Sequence, residues 1–194
     1  MLRLELKLIA DVGLVGMPNA GKSTLLRSIS AARPKVADYP FTTLDPQLGI
    51  VEMLGDRRLV VADIPGLIEG AGKGLGLGHA FLRHIERTKV IVHMLDMFPS
   101  DGSDPATNYR TIRKELEEFS PKLAGKREII AANKMDLAID DEAIEHLRAQ
   151  LPDKKILVIS GATHQGLTEM IESLWHAVRE EEASEPLPAA PSTL

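Results

Sequence analysis

Gly16-Met17-Pro18-Asn19-Ala20-Gly21-Lys22-Ser23 sets two glycines, a lysine and a hydroxyl at the spacing of a phosphate-binding loop. An apolar run from Leu8 to Val15 precedes it and a helix-like segment from Thr24 follows. That is the strand, loop and helix order such a site requires. Glycine lets backbone N–H groups turn inward around an anion, and the helix start adds unpaired amides and its positive dipole end. Lys22 can then neutralise outer phosphates, and the Ser23 hydroxyl can hold a magnesium ion.

Three further clusters bear on the same chemistry. Asp63-Ile64-Pro65-Gly66 closes a β-rich run. A carboxylate there suits water bound to magnesium, which keeps several waters in an octahedral shell. Gly66 can offer its N–H to a terminal phosphate, with no side chain to obstruct the approach. Phe41-Thr42-Thr43 lies in a stretch punctuated by Pro34, Pro40 and Pro46, which forbid a regular helix. A hydroxyl of Thr43 or Thr42 would complete the magnesium shell only when a third phosphate draws this loop in, an order–disorder switch. Asn133-Lys134-Met135-Asp136 supplies the base preference. An aspartate accepting from two adjacent N–H groups selects guanine over adenine, and sites of this kind discriminate by roughly 10⁴–10⁵ because the wrong base leaves buried groups unpaired. Lys134 would run along the base and the phosphate loop. Ser160-Gly161-Ala162 can present backbone N–H groups to the guanine carbonyl.

The intervening sequence supplies the elements that position these clusters. The start, Met1 to Lys7, alternates apolar and charged residues, so it reads as a strand that merges into the apolar run. A helix is predicted over about 22–30, then an irregular proline-containing loop. A hairpin follows, with strands 49–53 and 58–62 around Leu54-Gly55-Asp56-Arg57. Six glycines between Gly66 and Gly78 give a segment with little backbone preference ahead of an amphipathic helix, His79 to Arg87. Strands are predicted at 89–95, 127–132 and 155–159, with helices over about 106–119, 141–151 and 166–182. In the last helix Trp175 joins Ile171, Leu174 and Val178 on the buried face. From Ala183 on, the composition is that of a linker. Strands alternating with helices specify an α/β three-layer fold with a mostly parallel, six-stranded sheet and one antiparallel strand. Every polar cluster then falls at the carboxyl end of a strand, where such sheets bind ligands.

The totals agree with one domain, placed at residues 1–180 with a tail from 181 to 194. There is no cysteine among the 194 residues, which excludes disulfides and thiolate chemistry. A formal charge of −5 gives no global basic field for nucleic acid or membrane. No apolar run approaches the roughly 20 residues that span a bilayer. The six histidines show no metal-ligand spacing. Arg83 and Arg87, at helical spacing, read better as a solvated face than as catalytic fingers.

In this order the clusters resemble a Ras-like, translation-factor-class P-loop GTPase, and more narrowly the Obg family. The resemblance is carried by Gly16 to Ser23 with Pro18-Asn19-Ala20, and by Asp38-Tyr39-Pro40-Phe41-Thr42-Thr43-Leu44. It also rests on Asp63-Ile64-Pro65-Gly66-Leu67-Ile68-Glu69-Gly70-Ala71 and Phe81-Leu82-Arg83-His84-Ile85-Glu86-Arg87-Thr88. It implies binding of GTP and GDP and slow hydrolysis of GTP, with Lys22, Thr43, Gly66 and Asn19 taking part and with Ser23, Thr43 and Asp63 around Mg2+. It further implies a cytoplasmic protein, monomeric as this domain, that acts with the large ribosomal subunit and its rRNA in assembly and stress response. Obg proteins carry a glycine-rich N-terminal domain, so this chain looks like a GTPase domain alone. Gly161 stands where the family usually has Ala, and Asp45 where it often has Val. Leu67 occupies the position where many Ras-like proteins carry a water-orienting glutamine. Asn19, as in related GTPases with Asn at this position, is then expected to help hold K+ beside the phosphates. The alternative is a sensor of GTP, GDP or guanosine tetraphosphate whose output is partner binding rather than hydrolysis.

Overall fold

The computed structural model describes residues 9–36, 46–63 and 77–184. The chain order is β1 (Val12–Val15), α1 (Lys22–Ile29), β2 (Lys35–Val36), β3 (Gln47–Met53), β4 (Arg57–Asp63), α2 (Leu77–Glu86) and β5 (Val90–Asp96). It continues with α3 (Pro105–Phe119), α4 (Pro121–Ala124), β6 (Arg127–Asn133), α5 (Glu142–Gln150), β7 (Ile156–Val158) and α6 (Leu167–Ser184). The strands form one sheet in the order β2-β3-β4-β1-β5-β6-β7. The six longer strands are the expected sheet: β4, β1, β5, β6 and β7 run parallel and β3 pairs antiparallel with β4. The two-residue β2 is an addition, antiparallel to β3 at the edge, inside the stretch expected to be irregular.

Alternation along each strand divides the core between the two faces of the sheet. Val12, Leu14, Leu59, Val61, Val90, Val92 and Met94 pack with Leu25, Leu26 and Ile29 of α1 and Leu174 and Val178 of α6. On the other face Val15, Ala62 and Ile91 meet Leu82 and Ile85 of α2 and Ile112 and Leu116 of α3. Ile130, Ala132 and Leu95 meet Ile144 and Leu147 of α5 on that same face. Each fully buried Val, Leu, Ile or Met among these contributes about 1.5–3 kcal/mol against the ordering entropy.

Three expectations shift in detail. β1 begins at Val12, and Asp11 just before it is tied to both neighbouring strands. Its N donates to Val60 O at 2.9 Å, its O accepts from Val90 N at 3.1 Å, and its carboxylate accepts from Val60 N at 2.9 Å and from Lys89 Nζ at 2.9 Å. Residues 1–8 lie outside the described chain. In α6 the buried stripe is Leu167, Met170, Leu174, Ala177 and Val178, while Ile171 and Trp175 sit half-buried at its margin. The guanidinium groups of Arg57 and Arg179 lie 5.6 and 5.4 Å from the Trp175 ring. α6 also continues to Ser184, two residues past the expected end.

Candidate functional site

The loop after β1 holds its shape because two positions accept only glycine. At Gly16, with φ +154°, a Cβ would lie 2.5 Å from the Met94 carbonyl oxygen of β5. At Gly21, with φ +95°, it would lie 2.4 Å from Asn133 Nδ2. α1 starts at Lys22 with no side chain capping its first amides, so those donors remain directed at the loop. Lys22 folds back over the loop, with Nζ donating to Gly16 O at 2.9 Å and to Met17 O at 3.1 Å. Burial pushes the Lys22 ammonium below its usual range, and Asp63 opposes that shift. An anion at the loop would therefore meet a cation held by weak carbonyl partners. Asn19, exposed and at φ 63°, lines a cleft of about 200 Å³ with Pro18, Asp96 and Asn108.

Ser23 and Asp63 meet although 40 residues separate them: Ser23 Oγ donates to Asp63 Oδ2 at 2.5 Å. Asp63 is the last residue of β4 and is registered against Leu14 of β1, just before the loop. The parallel pairing of β1 and β4 thus sets a buried carboxylate beside the hydroxyl of the first helical turn. Charge-assisted O–H···O⁻ bonds of this length are the strong ones.

At the end of β6 the side-chain amide of buried Asn133 is shared between two loops. Nδ2 donates to Ala20 O at 2.8 Å, and Oδ1 accepts from Gly161 N at 3.0 Å. Asn133 therefore fastens the phosphate loop to Ser160-Gly161-Ala162. Lys134 adopts φ 69°, and its Nζ reaches Asp96 Oδ2 at 2.6 Å, where Asp96 closes β5. Asp136 stands exposed in a 3₁₀ turn, Met135–Leu137, which is anchored by Met135 N donating to Ile159 O. Ser160 is buried, its Oγ accepting from Thr163 N, and leaves Ala162 exposed.

The structure brings Gly16, Met17, Pro18, Asn19, Ala20, Gly21, Lys22, Ser23, Asp63, Asn133, Lys134, Asp136, Ser160, Gly161 and Ala162 to the carboxyl end of one sheet. Phe41, Thr42, Thr43, Ile64, Pro65, Gly66 and Leu67 lie outside the described residues. Asp96 was missed from the sequence. Its signal was a buried strand ending in a lone carboxylate, and only the fold pairs it with Lys134.

Known proteins bear on this arrangement. The chain is 50% identical to the GTPase Obg of Symbiobacterium thermophilum over 192 residues, 98% of this chain and 45% of that protein. It is 52% identical to the GTPase Obg of Aquifex aeolicus over 179 residues, 91% of this chain and 52% of that one. The chain thus spans about half the length of the curated relatives it matches. Its fold is similar to that of Era crystallised with MgGDPNP and a 16S ribosomal RNA segment, with a TM-score of 0.66 and 22% identity over 97% of this chain and 61% of that one. The G domain of the Thermotoga maritima FeoB iron transporter has the same fold, with a TM-score of 0.59 and 21% identity over 88% of this chain and 97% of that one. Residues 11–134 match the family described as 50S ribosome-binding GTPase. With its phosphate loop, strand-end carboxylate and Asn-Lys-Met-Asp segment all inside or bordering that span, the chain belongs to the 50S ribosome-binding GTPase family, and its resemblance to the Obg GTPases extends over nearly its whole length.

Proposed function

We propose that this chain binds GTP and GDP with Mg2+, hydrolyses GTP slowly, and serves as a conformational switch acting with the large ribosomal subunit in its assembly and in the stress response. The observation that carries the reading is the Ser23–Asp63 hydrogen bond beside Lys22, at the mouth of a loop with free helix amides. Among the described residues no group of three or more His, Cys, Asp or Glu side chains could hold a metal. A hydroxyl and one nearby carboxylate fit an ion that takes most of its oxygens from water and substrate phosphates, as magnesium does. Bound there, the ion would neutralise charge on the outer phosphates.

In this reading the loop amides of Gly16 to Ser23 cradle the phosphates and Lys22 exchanges its carbonyl partners for phosphate oxygens. Ser23 would ligate the ion, Asp63 would hold water bound to it, and Thr43 and Gly66 would engage only when a third phosphate is present. Phe41, Thr42, Ile64 and Pro65 flank those contacts. Asp136 accepts from the guanine N–H groups, Lys134 lines the base, and the amides of Ser160 to Ala162 meet the guanine carbonyl. Water attacks the terminal phosphorus and the bond to the bridging oxygen breaks, releasing GDP and phosphate. Leu67 has no group to orient that water, so turnover is slow. Asn19 helps hold K+, whose charge would assist the leaving oxygen. The nucleotide unit is residues 1–180, working in the cytoplasm as a monomer.

Asp136→Asn tests the base assignment: preference should move from guanine toward xanthine nucleotides, and unchanged GTP selectivity would remove Asp136 from the role. Single-turnover hydrolysis in potassium and sodium buffers tests Asn19, and equal rates in the two would discard the ion. A second reading is favoured by Leu67: a sensor of GTP, GDP or guanosine tetraphosphate that works by partner binding. It gains ground if single-turnover hydrolysis stays negligible in potassium even with large-subunit particles present.

A further inference from the structure

We propose that the stretch rounding the outer edge of the sheet, from Arg27 of α1 to Lys35 of β2, is a docking surface for the phosphate backbone of RNA. The proposal rests on the ribosomal reading above and names the part of this chain that would touch the particle.

The sequence sets this stretch apart. Between Asp11 and Asp38 there is no acidic residue, yet Lys22, Arg27, Arg33 and Lys35 all fall there, in a chain whose formal charge is −5. Lys22 is turned into the phosphate loop, whereas Arg27, Arg33 and Lys35 are exposed. Elsewhere several cations sit in ion pairs: Arg57 with Glu172, Lys89 with Asp11 and Glu182, Arg113 with Glu117, Arg148 with Glu145, and Arg127 with Glu180. Exposed Arg58, Arg83, Arg110, Lys122, Lys154 and Lys155 do not among the described residues, but those lie in stretches that also carry carboxylates. Arg27, Arg33 and Lys35 have no ion pair among the described residues. Unmatched charge concentrated in an otherwise acidic molecule is an electrostatic footprint.

The backbone beneath these cations is held in place. Ala31 N donates to Ile50 O at 2.9 Å, and Gly49 makes room for Leu26 and Ser30 as α1 ends against β3. The chain then turns back, so that Lys35 pairs with Leu48 and Val36 with Gln47 as the outermost strand. Lys35 therefore shares a sheet face with Ile50, which is 50% exposed, and with Arg58, whose cross-strand neighbour is Glu52. On this face Leu48 and Val60 are half-buried against the core, and among the described strand residues there Ile50 is the large apolar side chain left exposed, too little for a protein hot spot. From Arg27 to Val36 there is no aromatic side chain, so nothing offers bases a stacking platform. Cations without aromatics on a fixed edge suit a run of phosphates, read by charge and shape. A lysine on an edge strand also discourages strand pairing between molecules, and that role alone would leave RNA binding untouched.

The test is binding of the chain to purified large ribosomal subunits over a salt series, beside an Arg27→Ala, Arg33→Ala, Lys35→Ala triple variant. Affinity of both proteins for fluorescent GDP is measured in parallel as the check on folding. The variant should bind subunits on the order of 10-fold more weakly near 0.1 M salt, with the slope of log affinity against log salt shallower by about 2 to 3. GDP affinity should be the same in both. Equal subunit affinity and slope would overturn the surface while leaving the ribosomal reading standing. Weaker binding with an unchanged salt slope would overturn the phosphate assignment in favour of a protein contact. If neither chain binds subunits while both bind GDP, the ribosomal reading itself falls and this surface with it.

Discussion

The Asn133 amide donates to a carbonyl 113 positions earlier and accepts from an amide 28 positions later, and it is buried while doing so. Its removal would strand two backbone groups that have lost both partner and water. Asn133→Ala is therefore expected to cost about 2–4 kcal/mol, counting two lost bonds and their unsatisfied partners. Urea unfolding checks this, and a cost below about 1 kcal/mol would mean that the two loops are held by something else. Adjacent positions behave differently. A Cβ at Gly161 would meet Leu25 N at 3.4 Å, an ordinary contact, so an alanine fits here. At Gly16 and Gly21 the same atom would collide with the Met94 carbonyl or with Asn133. All three positions read simply as glycine in the sequence, and only their neighbours separate the obligatory from the incidental.

At the scale of elements, Lys89 secures the amino ends of the strands, opposite the candidate site. It heads β5 and bonds Asp11 before β1 at 2.9 Å and Glu182 of α6 at 2.7 Å. Burial works against its charge, but the bonds to Glu182 and Asp11 outweigh it and raise the Lys89 pKa. The carboxylate partners are 23% and 34% exposed, so solvent screens much of the attraction. Lys89→Met should cost about 1 kcal/mol in thermal unfolding at low salt, with the difference shrinking near 0.5 M salt. A cost that ignores salt would assign the effect to packing of the lysine stem instead. The elements themselves were mostly legible, because period-2 and period-3.6 apolar patterns survive in the letters. β2 was not. Two residues carry no pattern, and β2 exists only because β3 offers it an edge.

For the molecule as a whole, a buried polar network between the sheet and α3 contributes to the response to pH. His93 is fully buried in β5, and its Nδ1 donates to Glu128 Oε1 at 2.9 Å. Tyr109 OH donates to Glu128 Oε2 at 3.0 Å, and the Tyr109 ring lies 4.8 Å from the imidazole. His93 Nε2 has no hydrogen-bond partner among the described residues. Burial drives the His93 pKa below its ordinary value even though Glu128 opposes the shift. For Glu128 burial acts upward, but the hydrogen bond and charge of His93, with Arg113 and Tyr109, hold its pKa down. Both folded values are depressed, so both groups stabilise most at higher pH. The histidine contribution is complete above about pH 6.5 and is lost as pH falls through its folded value, at no more than about 1.4 kcal/mol per unit. The Glu128 contribution is lost in turn below about pH 4.5, the usual range of a free Glu. Stability from urea unfolding should therefore drop from pH 7 to pH 5, and His93→Gln should flatten that drop. Parallel pH profiles for the two proteins would discard the network as its source.

By itself the sequence determined the strand–loop–helix order, the α/β alternation and the identities of the candidate groups, because these are local properties of spacing, period and residue type. It also determined the family, since the motifs lie in one linear order. Tertiary structure alone decided that Ser23 meets Asp63, that Lys134 meets Asp96, and that Asn133 locks the phosphate loop to the loop at Ser160. It likewise decided which surface cations are left without partners. Each of these depends on which strands become neighbours, and strand order in a sheet is set by how the whole apolar surface is buried, which no single stretch of sequence carries.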